Sequence, residues 1–317
     1  MKTWLVLIFA LILGLIILIE LLLRSVFGFG NSLIYIGDEE IGYLLAPNQH
    51  TKKMGNRIYI NEYSMRSAQI TKTSSNSTLR ILLVGDSIAN GGWWTDQENT
   101  ISSLIEKSLQ PQSKYQKVEV LNASANSWGP RNELAYLQKF GNFQSQIIIL
   151  LINTDDLFAT APTSLPVGRD RNYPDQQIPL AILEVLQRYL TKQKPIPELE
   201  AIQKEGGDRV GINLAAIGKI KNFAQENNSK FLLVMTPLLR EIGQPGSRDY
   251  EIVARKRLND FTQEQNIKYI DILPELNAIN NPQSLYQDTI HFNLQGNQFV
   301  SKIIEQSLIE RTGDSEQ

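Results

Sequence analysis

The hydrophobic pattern divides the chain into three stretches. Residues 4–23 are apolar or glycine at every position except Glu20, and about 20 such residues in a helix are enough to cross a bilayer core. Residues 25–78 hold few long apolar runs. They contain Pro47-Asn48, Gly55-Asn56 and a polar run from Thr71 to Thr78, the composition of a linker or a preface to a domain. Within this stretch residues 57–61 alternate well enough to predict a short strand that packs on the main domain. From Leu79 the chain changes to short β-branched runs separated by longer helical patterns. Strands are predicted at 80–84, 117–121, 147–152, 230–235 and 268–270. Helices are predicted at 100–109, 132–140, 212–226, 250–265 and 294–309, from apolar positions three and four apart. Such alternation argues for an α/β fold with a parallel sheet and helices on both faces. The expected organisation is an anchor over 1–24, a preface over 25–78, a domain over 79–310 and a polar tail over 311–317.

The first stretch reads as an uncleaved anchor rather than a signal peptide. A signal peptide carries an apolar region of about 7–15 residues followed by a small-x-small site, whereas this run is longer and ends in Leu-Leu-Leu-Arg-Ser-Val-Phe. Lys2 and the amino terminus precede it and Arg24 follows, a weak positive-inside signal. The expected topology is a single pass with the domain on the extracytoplasmic, periplasmic side.

Composition narrows the chemistry. A formal net charge of -2 with 20% charged residues offers no basic field for a nucleic-acid backbone. The absence of cysteine removes disulfides, thiolate metal sites and a cysteine nucleophile. Only two histidines, His50 and His291, can serve a histidine-dependent mechanism. No His/Asp/Glu cluster has metal-ligand spacing, so neither metal nor cofactor is expected.

In open parallel sheets, sites lie at the carboxyl ends of the strands. After the first strand comes Val84-Gly85-Asp86-Ser87-Ile88-Ala89-Asn90-Gly91, where glycine permits a sharp turn and Ser87 begins the next helix. Its hydroxyl then faces the crevice and its own N–H can donate to an oxyanion. Alone, this run is equally ordinary turn and N-cap chemistry. Near the other end, Asp288-Thr289-Ile290-His291 sets a carboxylate three residues from an imidazole. A serine hydroxyl needs an imidazole to take its proton, and the imidazolium needs an oriented carboxylate. Ser87, His291 and Asp288 are therefore the candidate catalytic residues. His50 reads as a solvated loop residue.

These runs resemble the GDSL/SGNH hydrolase superfamily over roughly residues 79–310. The run from Gly91 to Thr100 is similar to the segment after the nucleophile in many members, and His291 to Asn297 is similar to the segment that starts at their histidine. The preface is similar to segments of membrane-tethered bacterial members. The resemblance implies a three-layer α/β/α, flavodoxin-like fold with about five strands, ester hydrolysis, no cofactor and two further oxyanion donors. One is a glycine N–H whose matching position here is Ser127. The other is an asparagine amide from a Gly-x-Asn-Asp run, which here reads Asn153-Thr154-Asp155-Asp156. Strict register would put Asp155 at the amide position, and an ionised carboxylate there would repel the oxyanion. Asn153 is therefore the expected donor from a shifted position.

Trp93 and Trp94 are candidate stacking walls near Ser87 for a glycan or lipid ester, with buried packing the alternative. Residues 157–177, rich in proline and without periodicity, are expected to cover the crevice. Hydrolysis is the expected outcome. Acyl transfer onto an extracytoplasmic glycan, and an inactive tethered binding module, remain open. Oligomeric state is left undetermined by the sequence.

Overall fold

Glu20 is the only charged residue in the interior of the opening apolar run, and the run is helical from end to end. The computed structural model describes residues 2–313, with side chains as far as Ile309, and the tail beyond 313 falls outside the described residues. Helix α1 (Lys2–Leu22) buries no residue against the domain, and the helical path continues to Phe27. It is long and apolar enough to cross a membrane.

Residues 25–78, which have the composition of a linker, fold as two antiparallel hairpins. Strand β1 (Tyr35–Asp38) pairs with β2 (Gly42–Leu45), and β3 (Gln49–Lys53) with β4 (Asn56–Ile60). The second hairpin turns at Met54 and Gly55, both with positive φ, the conformation that tight hairpins need for their twist. Along β4, Ile58 and Ile60 point inward while Arg57 and Tyr59 stay partly exposed, the period-two pattern that marks this strand in the sequence. His50 lies on β3, exposed and stacked on Tyr59 at 4.9 Å, rather than in a loop.

The five expected strands all form: β5 (Thr78–Gly85), β6 (Lys117–Ser124), β7 (Ile147–Asn153), β8 (Lys230–Thr236) and β9 (Lys268–Asp271). They make one parallel sheet in the order β6-β5-β7-β8-β9. Every residue of β5 and β7 is buried, as expected for strands covered on both faces. Alternation sends Leu82 and Val84 to one face and Ile81 and Leu83 to the other.

On the first face lie α4 (Pro130–Phe140), α7 (Arg209–Glu226) and α8 (Asp249–Glu264), and the hairpins join the same core through Ile41, Tyr43, Leu45, Ile58 and Ile60. The second face carries α3 (Ile101–Leu109) and α10 (Leu294–Gly313), with α9 (Leu273–Asn277) beside them. The four-residue α2 (Ser87–Asn90) follows β5 directly. Two helices that the hydrophobic periodicity does not mark, α5 (Ala181–Leu190) and α6 (Pro197–Gln203), lie between β7 and α7.

The hairpin region is tied to the sheet by one buried cation. Arg66 is 1% exposed, and its guanidinium donates to the carbonyls of Asn90, Gly92 and Thr95. One side chain from the preface thus fixes the loop that follows α2. Replacing it leaves three carbonyls without their donor in a dry site, and stranded buried acceptors cost about 1–3 kcal/mol each. Arg66→Met is expected to lose about 3 kcal/mol or more of stability, read as a lower urea midpoint with an unchanged m-value.

Candidate active site

The carboxyl ends of β5, β6 and β7 meet at one edge of the sheet, and the chain leaves each by a tight turn. At the end of β5, Gly85 has no room for a side chain: an added Cβ would sit 2.5 Å from the carbonyl oxygen of Leu151 on β7. Asp86 then caps α2, its Oδ1 accepting from the Ile88 N–H at 2.8 Å. Ser87, the first residue of that turn, is left facing a cleft of about 900 Å³.

Asp288 and His291 reach the same point from 200 residues away. His291 Nε2 lies 2.8 Å from Ser87 Oγ, and His291 Nδ1 lies 2.8 Å from Asp288 Oδ2. The other carboxylate oxygen of Asp288 accepts from the N–H groups of Ile290 and His291, each at 2.8 Å. One short turn therefore holds the carboxylate by its own backbone. Burial works to raise the Asp288 carboxyl, but these N–H donors and the ring outweigh it and hold the group below its ordinary value. It stays ionised through the neutral range. With Nδ1 donating to this carboxylate, the neutral ring presents a lone pair at Nε2 to the serine hydroxyl.

Trp94 lies against the imidazole, its ring centroid 4.4 Å from that of His291, and Trp93 meets Trp94 edge-on at 5.8 Å. Both line the cleft, with Trp93 about half exposed. Gly92, with a φ of +48°, lies beneath the Trp94 indole, where a Cβ would come within 2.3 Å of the ring.

Three loops complete the surroundings of Ser87. After β6, Ser127 adopts a left-handed φ of +59°, a conformation that glycine takes freely and that costs an L-residue about 1–2 kcal/mol. A serine therefore occupies a position whose backbone suits glycine. Its hydroxyl accepts from Tyr173 at 3.0 Å, and Tyr173 packs on Tyr35 and Tyr43 of the first hairpin at 5.0 Å each. The backbone N–H groups of Ser87 and Ser127 have no acceptor among the described residues. After β7, the Asn153 side-chain amide donates to Asp86 Oδ2 at 2.7 Å, and its carbonyl accepts from the Asp155 N–H at 2.7 Å. Asn153 is thus buried against Asp86, the residue before Ser87, with one amide hydrogen already committed to it. Asp155 lines the cleft, half exposed and 3.8 Å from Arg240. Burial raises its carboxyl, partly offset by Arg240.

Behind Ser87 stand three buried carboxyls, which no motif in the sequence marks as a group. Asp86 accepts from Ile88 and Asn153, and Asp156 accepts from the Asn153 N–H at 2.8 Å. Glu133 of α4 is fully buried and neither of its oxygens has a donor. Burial, followed by the charge of Asp86, pushes the Glu133 carboxyl well above its ordinary value, and burial does the same to Asp156. A lone glutamate on a helical pattern carries no signal of this in the sequence.

Residues 159–174 run along the cleft and contribute Ala159, Thr160, Pro162, Asp170 and Tyr173 to its wall. Arg169 pairs with Glu198 at 2.8 Å and Arg171 donates to the Arg188 carbonyl, so neither takes Asp170 or Asp175 as its partner.

The parallel sheet is covered on both faces by helices, an α/β/α fold, and a serine, a histidine and a carboxylate are in hydrogen-bond contact at its carboxyl edge. The chain belongs to the GDSL-like lipase/acylhydrolase family, whose model matches residues 83–299. Among curated protein sequences none matches. The fold is similar to that of the acetyl xylan esterase AlAXEase, at 16% identity and a TM-score of 0.50, over 72% of this chain and 98% of that one. Weaker likenesses extend to a lipase/acylhydrolase from Enterococcus faecalis (14% identity, TM-score 0.46, 73% and 96% of the two chains). Axe2, an acetylxylan esterase from Geobacillus stearothermophilus, is similar at 13% identity and a TM-score of 0.46 over 73% and 94%.

Two outcomes are expected from the groups around Ser87. A buried carboxyl whose folded value is raised contributes its full stability below the unfolded value of about 4.3 and loses it as pH rises from there, by about 1.4 kcal/mol per unit. Glu133→Gln is therefore expected to flatten the fall in thermal stability between pH 5 and 7, measured as Tm against pH. At Ser127, Ser127→Gly relieves the left-handed strain and gives up the Tyr173 contact. It is expected to leave thermal stability unchanged or raised by about 1 kcal/mol, with esterase activity retained.

Proposed function

We propose that Ser87 is the nucleophile of a membrane-anchored serine esterase, with His291 as its general base and Asp288 as the group that orients the imidazole. The observation that carries this reading is the unbroken chain of two 2.8 Å contacts from Ser87 Oγ through His291 to Asp288. Ser87 Oγ attacks the ester carbonyl carbon as its proton passes to His291 Nε2, and the Asp288 carboxylate stabilises the imidazolium that forms. The tetrahedral oxyanion is held by the N–H groups of Ser87 and Ser127, with Asn153 as the amide donor through its second hydrogen. Collapse breaks the bond to the alcohol oxygen, which takes the proton from His291. Water then attacks the acyl carbon as a proton passes to His291, and collapse breaks the bond to Ser87 Oγ, which takes that proton back as the acid is released.

Helix α1 serves as a single-pass anchor with the catalytic domain on the extracytoplasmic side. Its lack of any buried residue supports an apolar surrounding along its length. The esters within reach are those of an extracytoplasmic glycan or lipid, with Trp93 and Trp94 as the apolar wall beside the reacting carbonyl. The residues 79–310 act as the hydrolase domain on this reading.

Turnover of p-nitrophenyl acetate and labelling by a fluorophosphonate probe test the assignment in the full-length protein. Ser87→Ala is expected to abolish labelling and to lower kcat/KM by roughly a thousandfold or more, and Asp288→Asn to lower it by up to about ten-thousandfold through the wrong imidazole tautomer. A parent protein that neither turns over the ester nor labels at Ser87 would leave a tethered binding module as the reading.

A further inference from the structure

Helix α5 is built inside out for a helix facing water. Its protein side buries only the small Ala181 and Glu184, the latter 1% exposed in its side chain and bound to Lys53 Nζ at 2.7 Å and to the N–H of Gly30. Its outer side carries Leu183, Leu186 and Leu190, which are 39%, 41% and 76% exposed and lie three and four residues apart on one stripe. Leu180, just before the helix, extends that stripe and is 48% exposed. A surface helix normally turns its apolar stripe to the core and its charges outward. The reversed arrangement fits a helix whose outer surroundings are apolar.

The start of the helix sets what those surroundings are. The first two N–H groups of α5, those of Ala181 and Ile182, donate to the carboxylate of Glu20 at 2.8 and 3.0 Å. Arg24 holds the same junction, pairing with Glu20 at 2.7 Å and donating to the carbonyl of Pro179. Glu20 is in the last turn of α1, and a 21-residue helix rises about 31 Å, the thickness of a bilayer core. The exposed leucines therefore begin at the level where α1 leaves the hydrocarbon. Lys192 and Lys194 come just after the helix, suited to the anionic headgroup layer.

We propose that α5 lies in the interfacial layer of the bilayer that α1 enters, so that the cleft is fed with esters carried on membrane amphiphiles. This rests on the reading of α1 as an anchor and of Ser87 as the nucleophile. Arg188 and Tyr189 of α5, with Lys53 and Met54 of the second hairpin, line the same cleft as Ser87 and His291. Part of the cleft wall is thus formed by the helix that touches the bilayer. An ester on a lipid-like carrier enters from that side without first crossing water.

The chain has no cysteine, so single cysteines introduced into the full-length protein report depth directly. An environment-sensitive fluorophore is placed at Leu186→Cys, at Leu11→Cys within α1 and at Gln265→Cys, exposed after α8 at the opposite edge of the sheet. The protein is reconstituted in phosphatidylcholine–phosphatidylglycerol vesicles containing nitroxide-labelled lipid. Quenching at Leu11 and Leu186 but not at Gln265 is the expected result. Quenching at Leu11 alone overturns the placement of α5 and leaves the anchor standing, whereas no quenching at Leu11 overturns the anchor and this inference with it.

For the substrate, the triple variant Leu183→Gln, Leu186→Gln, Leu190→Gln is compared with the parent on two esters. Water-soluble p-nitrophenyl acetate is expected to turn over within about twofold of the parent, and a long-chain p-nitrophenyl ester embedded in the vesicles about tenfold more slowly, since interfacial binding scales with buried apolar area. Equal effects on both esters, or no hydrolysis of the embedded ester by the parent, overturns delivery from the membrane. A parent inactive on both esters overturns the esterase reading, while the depth measurement still decides where α5 lies.

Discussion

The parallel pairing of β5 between β6 and β7 is the constraint on which the rest depends. Parallel strands point the same way, so their carboxyl ends emerge together, and Gly85, Ser124 and Asn153 end at one edge. Each strand is buried on both faces, which leaves no freedom to slip by one residue without turning apolar side chains toward the wrong layer. Register at the edge is inherited from packing in the middle. The contact between Ser87 and His291, 204 residues apart, is a consequence of that register together with the docking of α10 on the second face.

The segment before the sheet takes part in the site rather than leading up to it. Arg66 grips the loop after α2 through three carbonyls, and that loop carries Trp94 onto the face of His291. Tyr35 and Tyr43 of the first hairpin support Tyr173, whose hydroxyl reaches Ser127. The hairpins thus support both walls of the cleft. Their composition reads as linker because short hairpins bury few residues each and spend many on turns, so no window along the sequence is strongly apolar.

Electrostatically the site is layered. Asp288, at the rim, is held ionised by backbone donors, while Asp86, Asp156 and Glu133 lie buried behind Ser87 with donors enough for only some of them. Burial raises all three inner carboxyls, Glu133 and Asp156 most strongly. Carboxyls within one site are therefore pushed in opposite directions, down by N–H donors at the rim and up by burial behind Ser87.

The five strands of the sheet and the parallel α/β class were legible in the sequence, as were Gly85-Asp86-Ser87, Asp288 and His291 as candidates for one site. Burial on both faces writes continuous apolar runs, and a chain with two histidines has few ways to arrange a base. Besides the hairpins and α6, four features were not legible. Helix α5 escaped because its leucines face outward and its buried residues are an alanine and a glutamate, the reverse of the pattern that periodicity detects. The left-handed turn at Ser127 is a backbone state that a serine does not announce. The commitment of the Asn153 amide to Asp86, and the solitary Glu133, depend on which groups from distant strands and helices come within 3 Å of one another. Local pattern reports what a residue prefers. Only the tertiary structure decides what it meets, because hydrogen-bond partners and burial are set by packing between segments far apart in the chain.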